Sequence, residues 1–431
     1  MKGRDTMELL TDNPITKVTE DRFGFKLYSD VLANAILETN RLPFCVGIFG
    51  AWGTGKSSLM LMIKELVEKN DYIKTIWFNP WKYDKKEELW NALIQTILYR
   101  IAEDDDRDKV KNKAKELAKS TSWLLLKKGL STLTAGIISE ENVENIKDVI
   151  VKEDEIHYRH VNHFEKDFEE IVNLYTKNGK LIVFIDDLDR CLPENAITVL
   201  ESLKLFIGDA KCVFVIGMDH YIVEEGIKFR FGEKVKMSGR DYLDKIIQVP
   251  FFLPPVPFNK LRDALRVAKT TDYSEEIWKL IEFGLDTNPR KTKRFVNCFY
   301  LLREIIKGGA YTYIDDDNRE YGLDPMLQDF FLAKLLIFQM SFSNFYSHLK
   351  LYPDDWEIYQ RQLLYQGLKP SILQQRPDLE EFWNDEQLRR FMDKTSGLSN
   401  PPDPPSAKIV SELLKTIILV SPSYGMDATK A

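Results

Sequence analysis

Cysteine is scarce in this sequence, with four in 431 residues: Cys45, Cys191, Cys212 and Cys298. Their spacing fits neither a zinc site nor a disulfide framework. Three lie in or beside apolar runs, where a thiol packs as a small core group. A reducing cytoplasm fits this usage. Metal-binding clusters are missing too. His157, His160 and His163 recur every third residue, but no cysteine or carboxylate pattern completes a site around them, so they read as a solvated helix face. Excess positive charge is absent: the formal net charge is −7, which excludes a global basic field for nucleic acid and leaves only a local patch. No apolar run reaches the roughly 20 residues that span a bilayer. The nearest is WLLLKKGLSTLTAGII, Trp123 to Ile138, broken near its centre by Lys127 and Lys128. That stretch reads better as a peripheral contact at the inner membrane face than as a span. The first residues, MKGRDTMELLTDNPIT, lack the apolar core of a signal peptide. No internal repeat and no low-complexity block occurs.

What is present is enough apolar side chain, 44% of residues, for a sizeable core, in a chain long enough for two or three packing units. A helix is expected over Asp21 to Thr39, with Tyr28, Val31, Leu32, Ala35 and Ile36 as its apolar stripe. Apolar strands are expected at Phe44–Phe49, Lys74–Asn79, Leu181–Ile185, Cys212–Ile216 and Ile246–Phe252. Helices between them are expected at Lys56–Glu68, Leu89–Ile101, His160–Tyr175 and Pro193–Phe206. Alternation of apolar strands with helices predicts an α/β fold built on a parallel sheet covered on both faces. The division expected is an N-terminal extension at 1–20 and a core at 21–258, with a helical insertion at about 104–155. A helical lid or sensor region at 259–325 and a helical C-terminal segment at 326–431 complete it. LPPVP marks the boundary after the core, and PPDPP at Pro401 to Pro405 is a stiff linker.

The chemistry concentrates in two places. Gly50-Ala51-Trp52-Gly53-Thr54-Gly55-Lys56-Ser57, followed by Ser58, matches G-x-x-x-x-G-K-[ST] between an apolar strand and a helix, which is the context the motif needs. Glycines let successive N–H groups turn toward phosphate oxygens, and the helix adds the positive end of its dipole. Lys56 is expected to reach the β- and γ-phosphates and Ser57 to ligate Mg2+. The second place is LIVFI-Asp186-Asp187, a strand ending in two carboxylates. Asp186 is expected to hold the metal, and Asp187 to orient and deprotonate the attacking water. Adjacent like charges need a nearby cation, which magnesium supplies.

The segments FCVGIFGAWGTGKSSL, IWFNPWKYD, LIVFIDDLDRCLPENAITVLESLKLF, VFVIGMDHYIVEEGI, YLDKIIQVPFFLPP and NPRKTKRFVN occur in one order. Together they resemble the KAP family of P-loop NTPases, of the STAND signalling type, from about Asp21 to Gly309. The resemblance implies magnesium and water-activating roles for Asp186 and Asp187, and an Asp-Arg pair at Asp189 and Arg190. It also implies a lid motif at Asn288, Pro289, Arg290, Lys293, Arg294 and Asn297, with Arg290 contacting the γ-phosphate. Two departures stand out. Many members carry transmembrane segments between the nucleotide motifs, where this chain has only the broken stretch near Trp123. The strand at Cys212 is followed by Gly217, Met218 and Asp219, with no arginine or asparagine sensor.

The reading that follows is a regulatory or signalling ATPase using ATP and Mg2+, its output carried by a protein partner or by self-association through the C-terminal segment. The family contains a phage-exclusion protein, which makes bacterial antiviral defence the setting by analogy. Two other classes compete. One is an ATP-dependent protein acting on nucleic acid, for which the basic run Arg290-Lys291-Thr292-Lys293-Arg294 is the candidate surface. The other is a scaffold in which nucleotide is structural and turnover small. No N-K-x-D guanine motif follows the phosphate loop, which favours ATP over GTP. The aromatic loop Trp77 to Tyr83 and the cluster Phe342, Phe345, Tyr346 and Tyr352 are expected to be core.

Overall fold

A computed structural model describes residues 9–83, 86–119, 164–203, 210–231, 239–266, 273–307, 313–314, 320–321, 325–355, 374–395, 398, 414 and 417. The stretch at Trp123 to Ile138, the three histidines and the PPDPP segment lie outside them, as does most of the expected insertion. Contacts divide the chain into two compact units, 14–254 and 1–13 with 255–431.

The first unit is an α/β domain. Its elements are α1 (Lys26–Glu38), β1 (Phe44–Phe49), α2 (Lys56–Val67), β2 (Ile73–Phe78), α3 (Lys86–Asp104), α4 (108–119), α5 (164–175), β3 (Lys180–Ile185), α6 (Pro193–Ser202), β4 (Cys212–Met218), α7 (His220–Phe231), α8 (Gly239–Leu243) and β5 (Val249–Phe252). The sheet runs β2-β3-β4-β1-β5 with every pairing parallel. Its three central strands, β3, β4 and β1, are apolar along nearly their whole length and almost wholly buried, as a sheet covered on both faces requires. All strand C-termini fall on one edge, so the loops after β1, β2, β3 and β4 meet there. The strand β4 separates the phosphate-loop strand from the acidic one. Register places Phe49 beside Met218 and Ile185 beside Ile216, which brings the ends of β1 and β3 level across it.

The first helix differs from expectation at its start. It begins at Lys26, five residues late, because the Asp21 carboxylate accepts from the backbone N–H groups of Phe23, Gly24 and Lys26 at 2.9, 3.0 and 2.8 Å. A side chain that holds these groups in a turn competes with the helix. Its buried face is Ser29, Leu32, Ala33 and Ile36, and the expected stripe members Val31 and Ala35 face solvent. The helix ends where the Lys180 ammonium donates to the carbonyls of Ile36, Leu37 and Thr39 at 3.1, 2.6 and 2.6 Å. A cation there satisfies orphan carbonyls and the negative end of the dipole.

The second unit holds α9 (Phe258–Arg266), α10 (Glu275–Gly284), α11 (Pro289–Lys307), the short antiparallel pair β6 (Tyr313–Ile314) and β7 (Glu320–Tyr321), then α12 (Pro325–Ser341), α13 (Ser343–Leu351), α14 (Glu380–Asn384) and α15 (Glu386–Thr395). The regions expected at 259–325 and 326–431 share this one unit. Gly284 shows why: a Cβ there would meet Ile337 at 2.4 Å and Phe391 at 2.9 Å, so α10 is pressed against α12 and α15. Ser341 Oγ also donates to the Gly284 carbonyl at 2.7 Å. Of the aromatic cluster, Phe345 and Tyr346 are core as expected, whereas Tyr352 is exposed.

Candidate functional site

The site assembles at the C-terminal edge of the sheet. After β1 the chain turns through Gly53 and Gly55, both at positive φ (83° and 110°), and enters α2 at Lys56. Gly55 is required twice over. Its φ belongs to the left-handed region, and a Cβ would lie 2.6 Å from the Phe25 ring. Thr54 Oγ1 donates to the Ala51 carbonyl at 2.8 Å and pins the loop. Ser58 Oγ accepts from Ile15 N–H at 3.3 Å, so the chain around Ile15 is tied to the start of α2.

The Lys56 side chain is buried and all three ammonium protons have acceptors. They are the carbonyls of Gly50 and Ala51, at 2.8 and 3.3 Å, and Asp189 Oδ2 at 2.8 Å. Ser57 Oγ donates to Asp186 Oδ1 at 3.1 Å across β4. The crossing is possible because residue 217 of β4 has no side chain: a Cβ there would meet Met60 Sδ at 2.6 Å and Asp186 Oδ1 at 3.2 Å. Asp187 adopts a left-handed backbone, φ 59°. One of its oxygens accepts from Asn79 Nδ2 at 2.9 Å, and the other pairs with Arg190 Nε at 2.7 Å. The Arg190 guanidinium lies 5.8 Å from the ring centre of Trp52 and 5.3 Å from that of Trp81.

The donor set fits a hard divalent cation with phosphate oxygens. Ser57 and Asp186 place two oxygen donors side by side, the type magnesium takes. Asp186 is only 5% exposed, and burial first, then the neighbouring Asp187 charge, push its carboxyl up to about 6. A carboxylate held that way is a cost to the fold that a bound cation relieves. The raised folded value means the protonated form folds without penalty below about pH 4, and the penalty is complete above about pH 6, on the order of 3 kcal/mol. Asp186→Asn is therefore expected to raise the thermal midpoint at pH 8 in chelator. The gain should shrink as pH falls through 6 and vanish near 4, and calorimetric melts across that range measure it. A midpoint at pH 8 that falls instead would show that the carboxylate supports the fold.

Of the residues expected from sequence, Gly50 to Ser58, Asp186 and Asp187 converge here. Arg290 belongs to the other unit. It opens α11, pairs with Asp12 at 3.4 Å, and has its N–H bonded to the Asn288 side chain at 3.0 Å. The basic run around it is partly engaged within its own unit. Lys291 pairs with Asp286 at 3.5 Å, Lys293 donates to the Thr11 carbonyl at 3.0 Å, and Thr292 is buried. At the end of β4, Asp219 Oδ1 accepts from the Tyr221 N–H at 3.1 Å and begins α7. Three features were not expected: the Lys56–Asp189 pair, the Asn79–Asp187 bond, and the exposure of Trp81, 54% open where a core role is expected for its loop. Asn79 follows β2 directly, and β2 pairs with β3 so that Phe78 faces Ile185. The sequence signal is an Asn-Pro pair ending a strand, which becomes informative only once that register is known. Among the described residues, no helix is long and apolar enough to cross a membrane.

A family model described as the KAP family P-loop domain matches residues 25–306. An uncharacterized protein of Methanocaldococcus jannaschii is 30% identical over 171 residues, covering 33% of this chain and 88% of that protein. The phage T7 exclusion protein of Escherichia coli K12 is 23% identical over 273 residues, covering 59% of this chain and 36% of that protein. Two solved Aeropyrum pernix structures align at TM-scores below the level of a shared overall arrangement. They are ORC2 in ADPNP-ADP complexes, with TM-score 0.36, 13% identity, and 92% of this chain and 94% of that one covered. The other is ORC1 in complex with DNA, with TM-score 0.37, 12% identity, and 95% and 85% covered.

Proposed function

The chain belongs to the KAP family of P-loop NTPases, and from that premise we propose that it is a magnesium-dependent ATPase with a regulatory or signalling task. The observation that carries the reading is the Ser57–Asp186 contact at 3.1 Å, made by two motifs 129 residues apart in sequence. Lys56, the turned loop and the N-terminus of α2 would bind the phosphates. Ser57 and Asp186 would hold magnesium, which when bound neutralises charge on the transferring phosphate. Asp187 would orient the attacking water and take its proton. The four cysteines are free thiols, in keeping with a cytoplasmic setting. Phage exclusion, the role printed for the Escherichia coli relative, is the setting we propose. The output would pass through residues 326–431 to a protein partner or a second copy.

In this reading Arg290 senses the γ-phosphate. Arginine suits that task because its planar fork makes two charge-assisted bonds to phosphate oxygens. ATP offers that group and ADP does not. The difference, about 1.5–3 kcal/mol, shifts a two-state equilibrium roughly tenfold or more. Hydrogen exchange should therefore show 288–297 more protected with a non-hydrolysable ATP analogue than with ADP. Arg290→Ala should erase the difference and leave ADP affinity nearly intact. Equal protection with both nucleotides would refute the sensing role. A separate assay of ATP turnover with magnesium and with chelator tests the ATPase itself, and no metal-dependent turnover would refute that.

A further inference from the structure

Two indoles stand in the open at the ends of different strands. Trp52, in the phosphate loop after β1, is 63% exposed, and Trp81 follows β2. Tryptophan so exposed is uncommon, yet both rings meet one guanidinium, that of Arg190. Arg190 comes from the turn after β3 and pairs with Asp187. The contacts close into a ring. Asn79 Oδ1 accepts from the Trp81 backbone N–H at 3.0 Å while Asn79 Nδ2 donates to Asp187 at 2.9 Å. Asp187 pairs with Arg190, and Arg190 returns to Trp81.

We propose that Arg190 is a positioning residue for Asp187, seated between Trp52 and Trp81 so that the phosphate loop and the loop after β2 jointly fix the water-activating carboxylate. The inference rests on the proposed role of Asp187 and extends it to what holds that residue. A carboxylate on a short side chain, on a left-handed backbone, gets its direction from its partners. Asn79 takes one oxygen and Arg190 the other, and each oxygen keeps a lone pair for water. The guanidinium is suited to the seat because a delocalised, weakly hydrated cation can lie against indole rings while pairing with a carboxylate. An ammonium is a compact, strongly hydrated point charge and serves two rings and a carboxylate at once less well. Trp52 belongs to the loop that would wrap the phosphates, so a shift of that loop would reach Asp187 through Arg190.

The test is steady-state Mg-ATP turnover of the full chain, with nucleotide affinity from calorimetry and thermal midpoints for every variant. Arg190→Ala and Arg190→Gln should each lower kcat by about 10- to 100-fold, the effect of a displaced reacting group, with affinity changed less than about 3-fold. Arg190→Lys should fail to restore turnover. Trp81→Ala should lower kcat in the same direction, and Trp81→Phe should recover most of it. Combining Arg190→Ala with Asp187→Asn should be no slower than Asp187→Asn alone, because the arginine acts through that carboxylate. Slow Asp187→Asn with unimpaired Arg190→Gln would overturn this proposal and leave the role of Asp187 standing. Losses that multiply in the double variant would also overturn it. Near-native turnover in Asp187→Asn would overturn both.

Discussion

Lys56→Ala is expected to lose nucleotide binding by at least about 100-fold, most simply read by calorimetry. The lysine contributes charge-assisted bonds, each about 1.5–3 kcal/mol, from a side chain that is itself buried. The structure adds a second effect. Lys56 Nζ is 2.8 Å from Asp189, and that carboxylate is nearly buried, so truncation leaves a buried charge without its partner. Breaking such a pair from one side costs about 3–5 kcal/mol. The single variant should thus melt lower as well as bind weakly, and the two losses need separating. Lys56→Ala combined with Asp189→Asn removes the orphaned charge. It should recover most of the midpoint and none of the binding. If binding returned with the midpoint, the lysine would be a structural cation and not a phosphate ligand. Unchanged affinity in a folded Lys56→Ala would have the same consequence.

The phosphate loop and its flanking elements are legible in sequence because the motif constrains backbone as well as side chains. Phe44–Phe49 and the start of α2 at Lys56 stand where expected. The start of α1 was not legible, since Asp21 acts on N–H groups two, three and five residues on, a local competition that apolar periodicity does not register. Trp81 misleads for a different reason. Hydrophobicity predicts burial, but its ring is spent on a cation from another loop, and only the sheet order brings the two loops together. The Lys56–Asp189 pair was hidden in the same way. A run such as Asp186-Asp187-Leu188-Asp189-Arg190 shows charge to a reader, while the short 3-10 turn at Leu188–Arg190 decides which way each group points. One carboxylate faces Ser57, one Asn79 and Arg190, and one Lys56. Neighbours in sequence thereby take separate partners, from the start of α2, from the loop after β2 and from their own turn.

Asp187→Asn is the sharper test of chemistry. Turnover should fall by about 100-fold or more, the contribution of a positioned general base. Magnesium-ATP affinity should stay near that of the native chain, because Lys56, Ser57 and Asp186 are untouched. The substitution also has a structural consequence that the geometry predicts. The carboxylate is engaged on both sides, accepting from Asn79 Nδ2 at 2.9 Å and ion-paired with Arg190, whose Nε lies 2.7 Å away. An amide has one accepting end and one donating end. Whichever way it turns, its NH2 meets a donor, so a modest loss of midpoint, about 1 kcal/mol or more, should accompany the loss of turnover. Asn79→Asp in the same chain offers the amide an acceptor and should return part of that stability without returning turnover, since no base is restored at position 187. A variant that stays folded, binds nucleotide and still turns over near the native rate would place the base elsewhere. Asp189 would be the next carboxylate to examine. It is the weaker candidate on geometry, because its Oδ2 is already committed to Lys56 at 2.8 Å, and a base that left that pair would strip the lysine of its buried partner.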